Sequence, residues 1–459
     1  MIVMKFGGSS VDRAESIQRV VGIVRGCIDQ RPVVVVSAMA KTTRRLQAAA
    51  EAAATGDRTA ALEIFDELES YHRRESHGVV PPAGRPALDA ALAPFFNDLR
   101  TQLDELAATR ALTPRAADAV ESCGELLAST ILSFALTHAG LDAAWIDCRR
   151  VMVTDHEFTR ARPLYGPTDA RLRETLLPLL REGKVPVMGG YVGATLQGVT
   201  TTLGKEGSDF SAAIIGAALG AGEVQIWTDV DGIRTTDPQI CPDARRVRSL
   251  SFAEALELSC SGTKKPHYGT LGPASRANVP IRILDSHHPG AEGTVIGRRN
   301  PDAPPTIKSM SCLAHANLIT VRAAGSAEGL QEKVFDLCER FRPVLMVLGT
   351  HSYGVDLGLS RGDRLAEVQS ALLSAVGKSA EVWVTPGRTV VSLVSEDLAT
   401  HPGLVEKTLA ACQGHEPRFL RSGVSAPVVR LFADPEEIPG LLSRLHEELL
   451  PGSSDKIVE

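Results

Sequence analysis

The chain lacks the features that mark membrane, exported and nucleic-acid-binding proteins. No apolar run approaches the ~18 residues that a membrane span needs, and the N-terminus, MIVMKFGGSS, has too short an apolar stretch for an export signal. The net charge is -6, and the chain has no block of lysine and arginine, which argues against nucleic acid or an anionic membrane surface as a partner. We therefore expect a cytoplasmic protein that acts on small molecules.

Cysteine is scattered rather than clustered. The eight cysteines form no CxxC pair and no His/Cys cluster at metal-ligand spacing, so we expect reduced thiols and no metal bound by protein ligands. A chain of 459 residues is long enough to bury a sizeable core without disulfide bonds. Its 44% hydrophobic and 23% charged residues are typical of a globular protein of two or three domains.

The first part of the chain alternates short apolar runs with helical patterns. The runs are rich in β-branched residues, as in strands buried on both faces, and they lie at 2–6, 32–38, 143–147, 185–189, 224–229 and 279–284. A long helical insert spans about 44–110. This alternation predicts an α/β fold, with a mostly parallel sheet between helical layers and ligands at the carboxyl ends of its strands.

The pattern changes after a boundary rich in proline, aspartate and arginine at about 298–306. A βαββαβ pattern follows, and then a second one that lacks its last strand, which the spare strand at 306–314 would complete. We therefore predict a catalytic domain at 1–300, a first small module at 318–385, and a second module formed by 306–317 with 386–459. Such modules suit effector sensing or dimerisation.

Three predicted strand ends carry glycine or other small residues beside charged ones: KFGGSS at 5–10, SAMAKTT at 37–43 and GKEGSD at 204–209. Glycine lets backbone N–H groups approach an oxyanion, and a helix N-terminus adds its positive end. A Walker motif is excluded, because Glu206 follows Lys205 where a serine or threonine should bind Mg²⁺. The three turns together predict phosphate chemistry, although each alone equally fits an ordinary strand-to-helix turn.

Several motifs, in their order and spacing, resemble the aspartate kinase family over almost the whole chain: KFGGSSV, VVVVSAM, SCGELL, GVTTTLGKEGSDFSAA, IWTDVDGIRTTDP and SFAEALELSCSGTK. The resemblance implies the amino-acid kinase fold followed by two ACT-type βαββαβ modules. It also implies transfer of the γ-phosphoryl group of ATP, with Mg²⁺, to the β-carboxylate of L-aspartate, giving 4-phospho-L-aspartate on the route to lysine, threonine and methionine. The implied assembly is a homodimer or homotetramer formed through the ACT region, with an amino acid as effector.

The resemblance also assigns residues to the site. Lys5, expected to be exposed at a strand end, would bridge the transferring phosphoryl group, and Asp209 would hold it. Glu125 would take the ammonium group of the acceptor and Lys205 its α-carboxylate, within the set Ser37, Thr43, Glu125, Tyr191, Lys205 and Ser208. The implied nucleotide-binding residues are Lys5, Gly7, Gly8, Ser9, Thr228, Asp229, Arg234, Asp237 and Lys264. Two alternative roles stay open: an ordinary carboxylate on a helix face for Glu125, and a turn residue for Asp237.

Two residues of the third turn depart from the family's Gly-Arg-Gly-Gly-Ser-Asp. Lys205 keeps the charge of arginine but loses its bidentate fork, and Glu206 puts a negative charge and a Cβ where the family has glycine. Either Glu206 faces solvent, or it recognises a different substrate group, or it lowers activity. Two alternative functions therefore stay open: a divergent kinase for another amino-acid carboxylate in a specialised pathway, and a weakly catalytic amino-acid-sensing subunit.

Overall fold

The computed structural model describes residues 1–261, 268–299, 304–325, 329–341, 345–360, 364–414, 418–421 and 427–450. They form two compact units. The first combines Met1–Gly232 with Gly269–Gly297, and the second combines Ile233–Tyr268 with Arg298–Glu459.

The strands, in chain order, are β1 (Ile2–Phe6), β2 (Pro32–Val36), β3 (Ala143–Ile146), β4 (Val153–Thr154), β5 (Val185–Gly189), β6 (Val192–Thr195), β7 (Thr200–Thr202), β8 (Glu223–Thr228), β9 (Ser249–Ser251), β10 (Ile281–Asp285), β11 (Thr294–Gly297), β12 (Ser309–Ala323), β13 (Leu345–His351), β14 (Gly354–Leu359), β15 (Ala380–Val394), β16 (Arg418–Arg421) and β17 (Val428–Ala433). The helices are α1 (Ala14–Gly26), α2 (Thr42–Thr55), α3 (Arg58–Val79), α4 (Arg85–Thr109), α5 (Pro114–His138), α6 (Tyr165–Arg181), α7 (Gly207–Leu219), α8 (Phe252–Cys260), α9 (Tyr268–Ala277), α10 (Leu330–Arg340), α11 (Leu365–Val376), α12 (Pro402–Ala411) and α13 (Ile438–Leu449).

The central sheet of the first unit has the strand order β3-β5-β2-β1-β8-β10-β11. Its strand pairs are parallel, except that β10 and β11 are antiparallel. Every residue of β1, β2 and β5 is buried, as expected for strands covered on both faces. The α/β fold with a mostly parallel sheet is thus confirmed. Because these strands run in the same direction, their carboxyl ends share one edge of the sheet.

Helix α5 carries polar residues into the interior of the first unit. It begins at Pro114, and the side chain of Thr113 caps it by accepting a hydrogen bond from Ala116 N at 3.2 Å. By length and composition α5 is apolar enough to cross a membrane, but 89% of its most apolar window is buried within the structure. Asp118, Glu121 and Glu125 are buried along it, so one core helix supplies three carboxylates to the interior.

The helical insert, α2 to α4, holds a buried histidine. His72 Nδ1 donates to Leu68 O at 2.7 Å, and Nε2 has no hydrogen-bond partner in the part of the chain that the structure describes. Burial lowers the pKa of His72 from 6.5 to about 4. The unfolded chain therefore takes up a proton at higher pH than the folded chain does, so this residue lowers stability as the pH falls from 6.5 towards 4.

We expect His72→Leu to reduce the acid sensitivity of folding. Between pH 7 and pH 5 the variant should lose about 2 kcal/mol less unfolding free energy than the parent, because leucine has no proton to take up. Urea denaturation of both proteins at the two pH values measures this difference. Equal losses in parent and variant would contradict the assignment of a depressed pKa to His72.

The second unit contains one six-stranded sheet, with the strand order β13-β14-β12-β15-β17-β16. All its described pairs are antiparallel. β12 and β15 pair along their lengths, from Ser309 opposite Val394 to Ala323 opposite Ala380. The pairing expected for the spare strand at 306–314 is therefore observed, since the Ser309 end of β12 pairs with the half of β15 that also pairs with β17.

Each half of this sheet has its own apolar core. Helices α10 and α11 cover a cluster that includes Ile319, Val334, Leu357 and Leu372. Helices α12 and α13 cover a second cluster, which includes Met310, Leu393, Leu431 and Leu442. The two predicted modules thus have separate cores although they share strands.

The segment Ile233–Tyr268 groups with the second unit, whereas the sequence analysis placed it in the catalytic domain. The difference has a physical reason in the contacts of this segment. Met310 N donates to Thr235 O at 2.7 Å, and Arg430 Nη2 donates to Glu257 Oε2 at 2.6 Å. The functional domain boundaries stay a prediction.

Candidate active site

A cleft of about 590 Å³ lies in the first unit, next to the carboxyl ends of β1, β2 and β5. Residues far apart in the sequence line it: Lys5, Gly8, Ser37, Ala38, Ala40, Thr43, Gln47, Glu125, Thr159, Tyr191, Gly204, Lys205, Glu206, Gly207 and Ser208. Every residue predicted to bind the acceptor is in this set. The position matches the expectation for ligands of a parallel sheet.

Lys5 and Asp209 form a buried ion pair. Lys5 Nζ contacts Asp209 Oδ1, and the two side chains are only 5% and 1% exposed. The expectation of an exposed Lys5 was wrong, because β1 lies in the middle of a sheet that is covered on both faces and the first turn of α7 brings Asp209 against the strand. A fixed cation on the wall of a cleft is suited to binding an anion where little water screens it.

Glu125 presents an unsatisfied carboxylate. It is buried and lines the cleft, and its Oε2 has no hydrogen-bond partner among the described residues. Burial raises the pKa of Glu125 to about 8; the charge of Glu121 adds to the rise, while a backbone hydrogen bond at Ala38 and the charge of Lys5 oppose it. A buried carboxylate oxygen without a partner fits the ammonium group of a ligand.

Glu121, one helical turn before Glu125, positions two side chains that line the cleft, Tyr191 and Gln47. Its Oε2 accepts a hydrogen bond from Tyr191 Oη at 2.5 Å, and its Oε1 accepts one from Gln47 Nε2 at 2.9 Å. Neither Glu121 nor Gln47 was predicted from the sequence. The available signal was spacing, because Glu121 and Glu125 on α5, and Thr43 and Gln47 on α2, are each four residues apart and share a helix face.

Asp118 fixes the loop that brings Thr159 to the cleft. Its two carboxylate oxygens accept hydrogen bonds from Thr159 N at 3.0 and 2.9 Å. They also accept from Thr202 N at 3.1 Å and from Thr202 Oγ1 at 2.6 Å. Burial raises the pKa of Asp118, and these hydrogen bonds oppose the rise. This positioning residue was not predicted from the sequence, because its partners are distant along the chain.

The glycine loop after β1 packs closely against its neighbours. Gly7 N donates to Trp227 O at 3.1 Å, and Gly8 O accepts from Ala40 N at 3.0 Å. A Cβ on Gly8 would lie 2.6 Å from Ala38 O, so only glycine fits there. The loop therefore joins the carboxyl ends of β1, β2 and β8.

The other predicted nucleotide-binding residues of the first unit lie near this loop. Ser9 is exposed in the turn that follows β1, and Thr228 Oγ1 donates to Asp229 Oδ1 at 3.0 Å at the end of β8. Two hydroxyl groups that connect these strand ends were not predicted from the sequence. Ser10 Oγ donates to Ser286 Oγ at 2.9 Å, which donates to Thr228 O at 3.0 Å.

Arg234 and Asp237 belong to the second unit. Arg234 Nη1 donates to Ala244 O at 3.0 Å, and Asp237 Oδ1 accepts from Gln239 N at 2.9 Å. Asp237 thus makes the turn contact that sequence analysis kept as its alternative role. Lys264, the last of the predicted set, lies outside the described residues.

Comparison with known proteins identifies the fold family. A model of the amino acid kinase family matches residues 1–285. This chain belongs to that family. The chain is 31% identical over 457 residues to lysine-sensitive aspartokinase 3 of Escherichia coli K12. The match covers 98% of this chain and 99% of the relative. The chain is 30% identical over 460 residues to chloroplastic aspartokinase 2 of Arabidopsis thaliana, with 97% and 83% covered.

A solved structure shows the same likeness. The crystal structure of E. coli aspartokinase III in complex with aspartate and ADP, in its R-state, superposes on this amino acid kinase with a TM-score of 0.83 and 29% identity. The match covers 98% of this chain and 100% of that one. The predicted resemblance to aspartate kinases, with their α/β fold and C-terminal regulatory region, is confirmed.

Proposed function

We propose that this amino acid kinase is an aspartate kinase, which forms 4-phospho-L-aspartate and ADP from L-aspartate and Mg-ATP. The bond between Pγ and its bridging oxygen breaks, and a bond between Pγ and a β-carboxylate oxygen forms. The names of the relatives support this proposal. The observation that carries it is the presence in one cleft of Lys5, which pairs with the buried Asp209, and of the unpartnered Glu125 oxygen.

The acceptor needs orientation rather than activation. A β-carboxylate has an ordinary pKa near ~3.9, so it is already an anionic nucleophile at neutral pH and needs no general base. Glu125 would pair with the ammonium group of aspartate, which returns Glu125 to its ionised form. Lys205, whose side chain is exposed, would meet the α-carboxylate as a point charge. Ser37, Thr43 and Ser208 supply hydroxyl groups beside them.

The phosphoryl group needs charge neutralisation along its path. Lys5, held in place by Asp209, would contact it throughout transfer. Gly7 N already donates to Trp227 O, so the close-packed loop would present the backbone N–H of Gly8 to the phosphates of Mg-ATP. Ser9, Thr228 and Asp229 complete the part of the proposed nucleotide site that belongs to the first unit.

The proposal extends to assembly and location. The two ACT-type modules of the second unit suit an enzyme that forms a homodimer or homotetramer through them and binds an amino-acid effector. The scattered, free cysteines suit a cytoplasmic enzyme.

The direct test is a panel of amino-acid carboxylates incubated with the enzyme and Mg-ATP. ADP release is measured, and the acyl phosphate is trapped with hydroxylamine. We expect an aspartyl hydroxamate that requires both ATP and enzyme. Failure of every carboxylate in the panel to give a hydroxamate would overturn the assignment as a kinase.

One observation favours a second candidate, a kinase for a different amino-acid carboxylate. Glu206 is half-buried and lines the acceptor cleft, which supports the interpretation that it recognises a group of the acceptor. A panel with a non-aspartate acceptor as the best substrate would support this candidate.

Feedback inhibition by lysine is expected to be weak. The strand after the first helix of the first module, β13, reads LMVLGTH and offers no carboxylate to the ammonium group of a lysine effector. An unpaired ammonium group is costly to bury. We expect less than a twofold change in turnover when lysine is raised to millimolar concentration. Half-maximal inhibition at a lysine concentration of ~10⁻⁴ M or lower would contradict this prediction.

A further inference from the structure

Helix α5 turns two buried glutamates towards the acceptor end of the cleft. Glu121 and Glu125 are four residues apart, so their side chains lie on one face of the helix, one turn from each other. They are only 8% and 3% exposed. Glu125 lines the cleft itself, whereas Glu121 contacts residues that line it. Glu121 can therefore act on a bound ligand only through its neighbours.

Neutral groups satisfy the Glu121 carboxylate. Tyr191 Oη donates to its Oε2 at 2.5 Å, and Gln47 Nε2 donates to its Oε1 at 2.9 Å. Neither Glu121 nor Glu125 forms an ion pair with a residue in the described ranges, since Lys5 contacts Asp209 instead. This end of the cleft thus contains two buried carboxylates and no cation paired with either of them in the part of the chain that the structure describes.

Glu121 also holds the ring of Tyr191 in the cleft wall. The backbone of Tyr191 is fixed, because its N donates to Ser211 Oγ at 3.0 Å and its O accepts from Leu203 N at 2.8 Å. The ring packs against Gly207, where a Cβ would lie 2.7 Å from Tyr191 Cδ2. The hydrogen bond to Glu121 fixes the far end of the ring, so the whole side chain has one defined position.

The pair of glutamates lacks a cation that a ligand could supply. Glu125 Oε2 is buried and has no hydrogen-bond partner among the described residues. A Cβ on Gly189 would lie 2.9 Å from Glu125 Cβ, so the backbone of β5 holds the base of this side chain. The charge of Glu121 opposes ionisation of Glu125 while the cleft is empty. The same charge attracts an ammonium group that binds at Glu125.

We propose that Glu121 is a positioning residue for the amino-acid acceptor and acts through Glu125 and Tyr191. Its charge adds to the attraction between Glu125 and the ammonium group of the acceptor. Its hydrogen bonds hold the Tyr191 ring and the Gln47 amide in the wall beside that group. This inference rests on the proposed function, in which L-aspartate binds at Glu125, and it concerns binding of the acceptor rather than transfer of the phosphoryl group.

The other ionisable groups around the two glutamates do not obscure this role. Burial raises the pKa of Cys123 to about 12, and it also raises the pKa values of Cys148 and Tyr191. These three groups are therefore neutral below pH 9. The remaining groups are common to the parent and to every variant of Glu121, so a difference between pH profiles belongs to residue 121: Lys5 on β1, Asp118 on α5, Asp209 on α7, and Lys205 and Glu206 in the cleft wall.

The test is the dissociation constant of L-aspartate in the presence of Mg-ADP, measured by isothermal titration calorimetry between about pH 6 and pH 9. Glu121→Gln keeps the size and one acceptor oxygen but removes the charge. Glu121→Asp keeps the charge and draws it away from Tyr191 and Gln47. Glu182→Gln is the matched control, because Glu182 is exposed and pairs with Lys184 on the surface.

We expect the affinity of the parent for aspartate to rise through about pH 8, as Glu125 ionises. In Glu121→Gln the midpoint of this rise should lie about one pH unit lower. Its affinity at pH 9 should be ~10-fold weaker, because only one negative charge then attracts the ammonium group. Glu121→Asp should keep the parent's midpoint and bind aspartate about threefold more weakly, and the control should match the parent. In turnover, Glu121→Gln should raise the KM for aspartate and leave kcat within about twofold of the parent's.

The outcomes separate the role of Glu121 from the proposed function. An unchanged midpoint in Glu121→Gln, or a fall in kcat without a rise in KM, overturns that role. Parent-like affinity in Glu121→Asp overturns the contribution of the hydrogen bonds, whether or not Glu121→Gln folds. A parent that binds aspartate without forming a trapped acyl phosphate overturns the phosphoryl transfer, while the dissociation constants still decide the role of Glu121. A parent that does not bind aspartate overturns both.

Discussion

Replacing Lys5 with alanine is expected to reduce phosphoryl transfer on the order of a thousandfold or more. The amine of Lys5 is the buried cation of the cleft, and its charge neutralises the phosphoryl group best where little water competes. The expected change is in kcat, with a smaller effect on the KM for the acceptor. Hydroxylamine-trapped turnover under saturating substrates measures it.

The ion pair complicates this variant and also supplies its control. Lys5→Ala leaves the buried Asp209 carboxylate without its cation, which destabilises a protein by about 3–5 kcal/mol. The double variant Lys5→Met, Asp209→Asn removes both charges and should recover most of that stability. If the double variant folds like the parent and is equally inactive, the loss belongs to the chemistry. Parent-like turnover in either protein would remove Lys5 from the mechanism.

Glu125→Gln is expected to lower kcat/KM for the acceptor about a hundredfold, because the amide cannot form the ion pair with an ammonium group. It should also change the pH profile. With a pKa of about 8, Glu125 in the free enzyme becomes ionised as the pH rises through that value. The parent's kcat/KM should therefore rise between pH 7 and pH 9 and then level off at roughly one unit above the pKa, whereas the variant's profile should lack this rise.

Stability provides an independent readout for Glu125. Its pKa is higher in the folded protein than the ordinary value of 4.5, so the parent loses stability as the pH rises from there through about 8. Glu125→Gln has no such loss and should be the more stable protein at alkaline pH. A variant that is both less active and less stable would indicate a packing defect rather than a lost ligand contact.

The strands of the first unit were predictable because their apolar runs are short and bounded by glycine or charge. β1 and β5 have the predicted bounds, 2–6 and 185–189. The burial of Lys5 was not predictable, since it depends on a carboxylate in α7 that only the folded chain brings to β1. The local sequence pattern is enough to predict a strand or a helix. An ion pair between distant side chains, such as Lys5 and Asp209, depends on which elements the folded chain brings together.

The candidate site divides in the same way. Motifs in the sequence marked the strand ends, and the structure brings every predicted acceptor residue to one cleft. The supporting residues, Asp118, Glu121 and Gln47, carry no local motif, because their partners come from other elements. From the sequence, position 206 could be predicted only as one that suits glycine; the strain at Glu206 follows from its φ of 56° in the folded chain.

The second unit has a strand that continues across a predicted module boundary. The sequence analysis ended the first module at residue 385 and continued the second at 386, but β15 runs through Pro386 and Gly387 as one strand. The partner strand β12 accommodates this with irregular pairing between Leu313 and Leu318, where His315 has φ 53°. A bulge in one strand lets its neighbour keep a proline without breaking the sheet.

Because the two modules share strands, neither module can be exchanged by itself for the corresponding module of a relative. A chimera that took residues 318–385 from a relative would import one half of β12 and one half of β15, while the other halves stayed with the host. The graft would have to reproduce the irregular register at Leu313–Leu318, or slip every residue beyond it to the opposite face of the sheet. For protein engineering the exchangeable piece is therefore the whole double module, with both strands carried over intact.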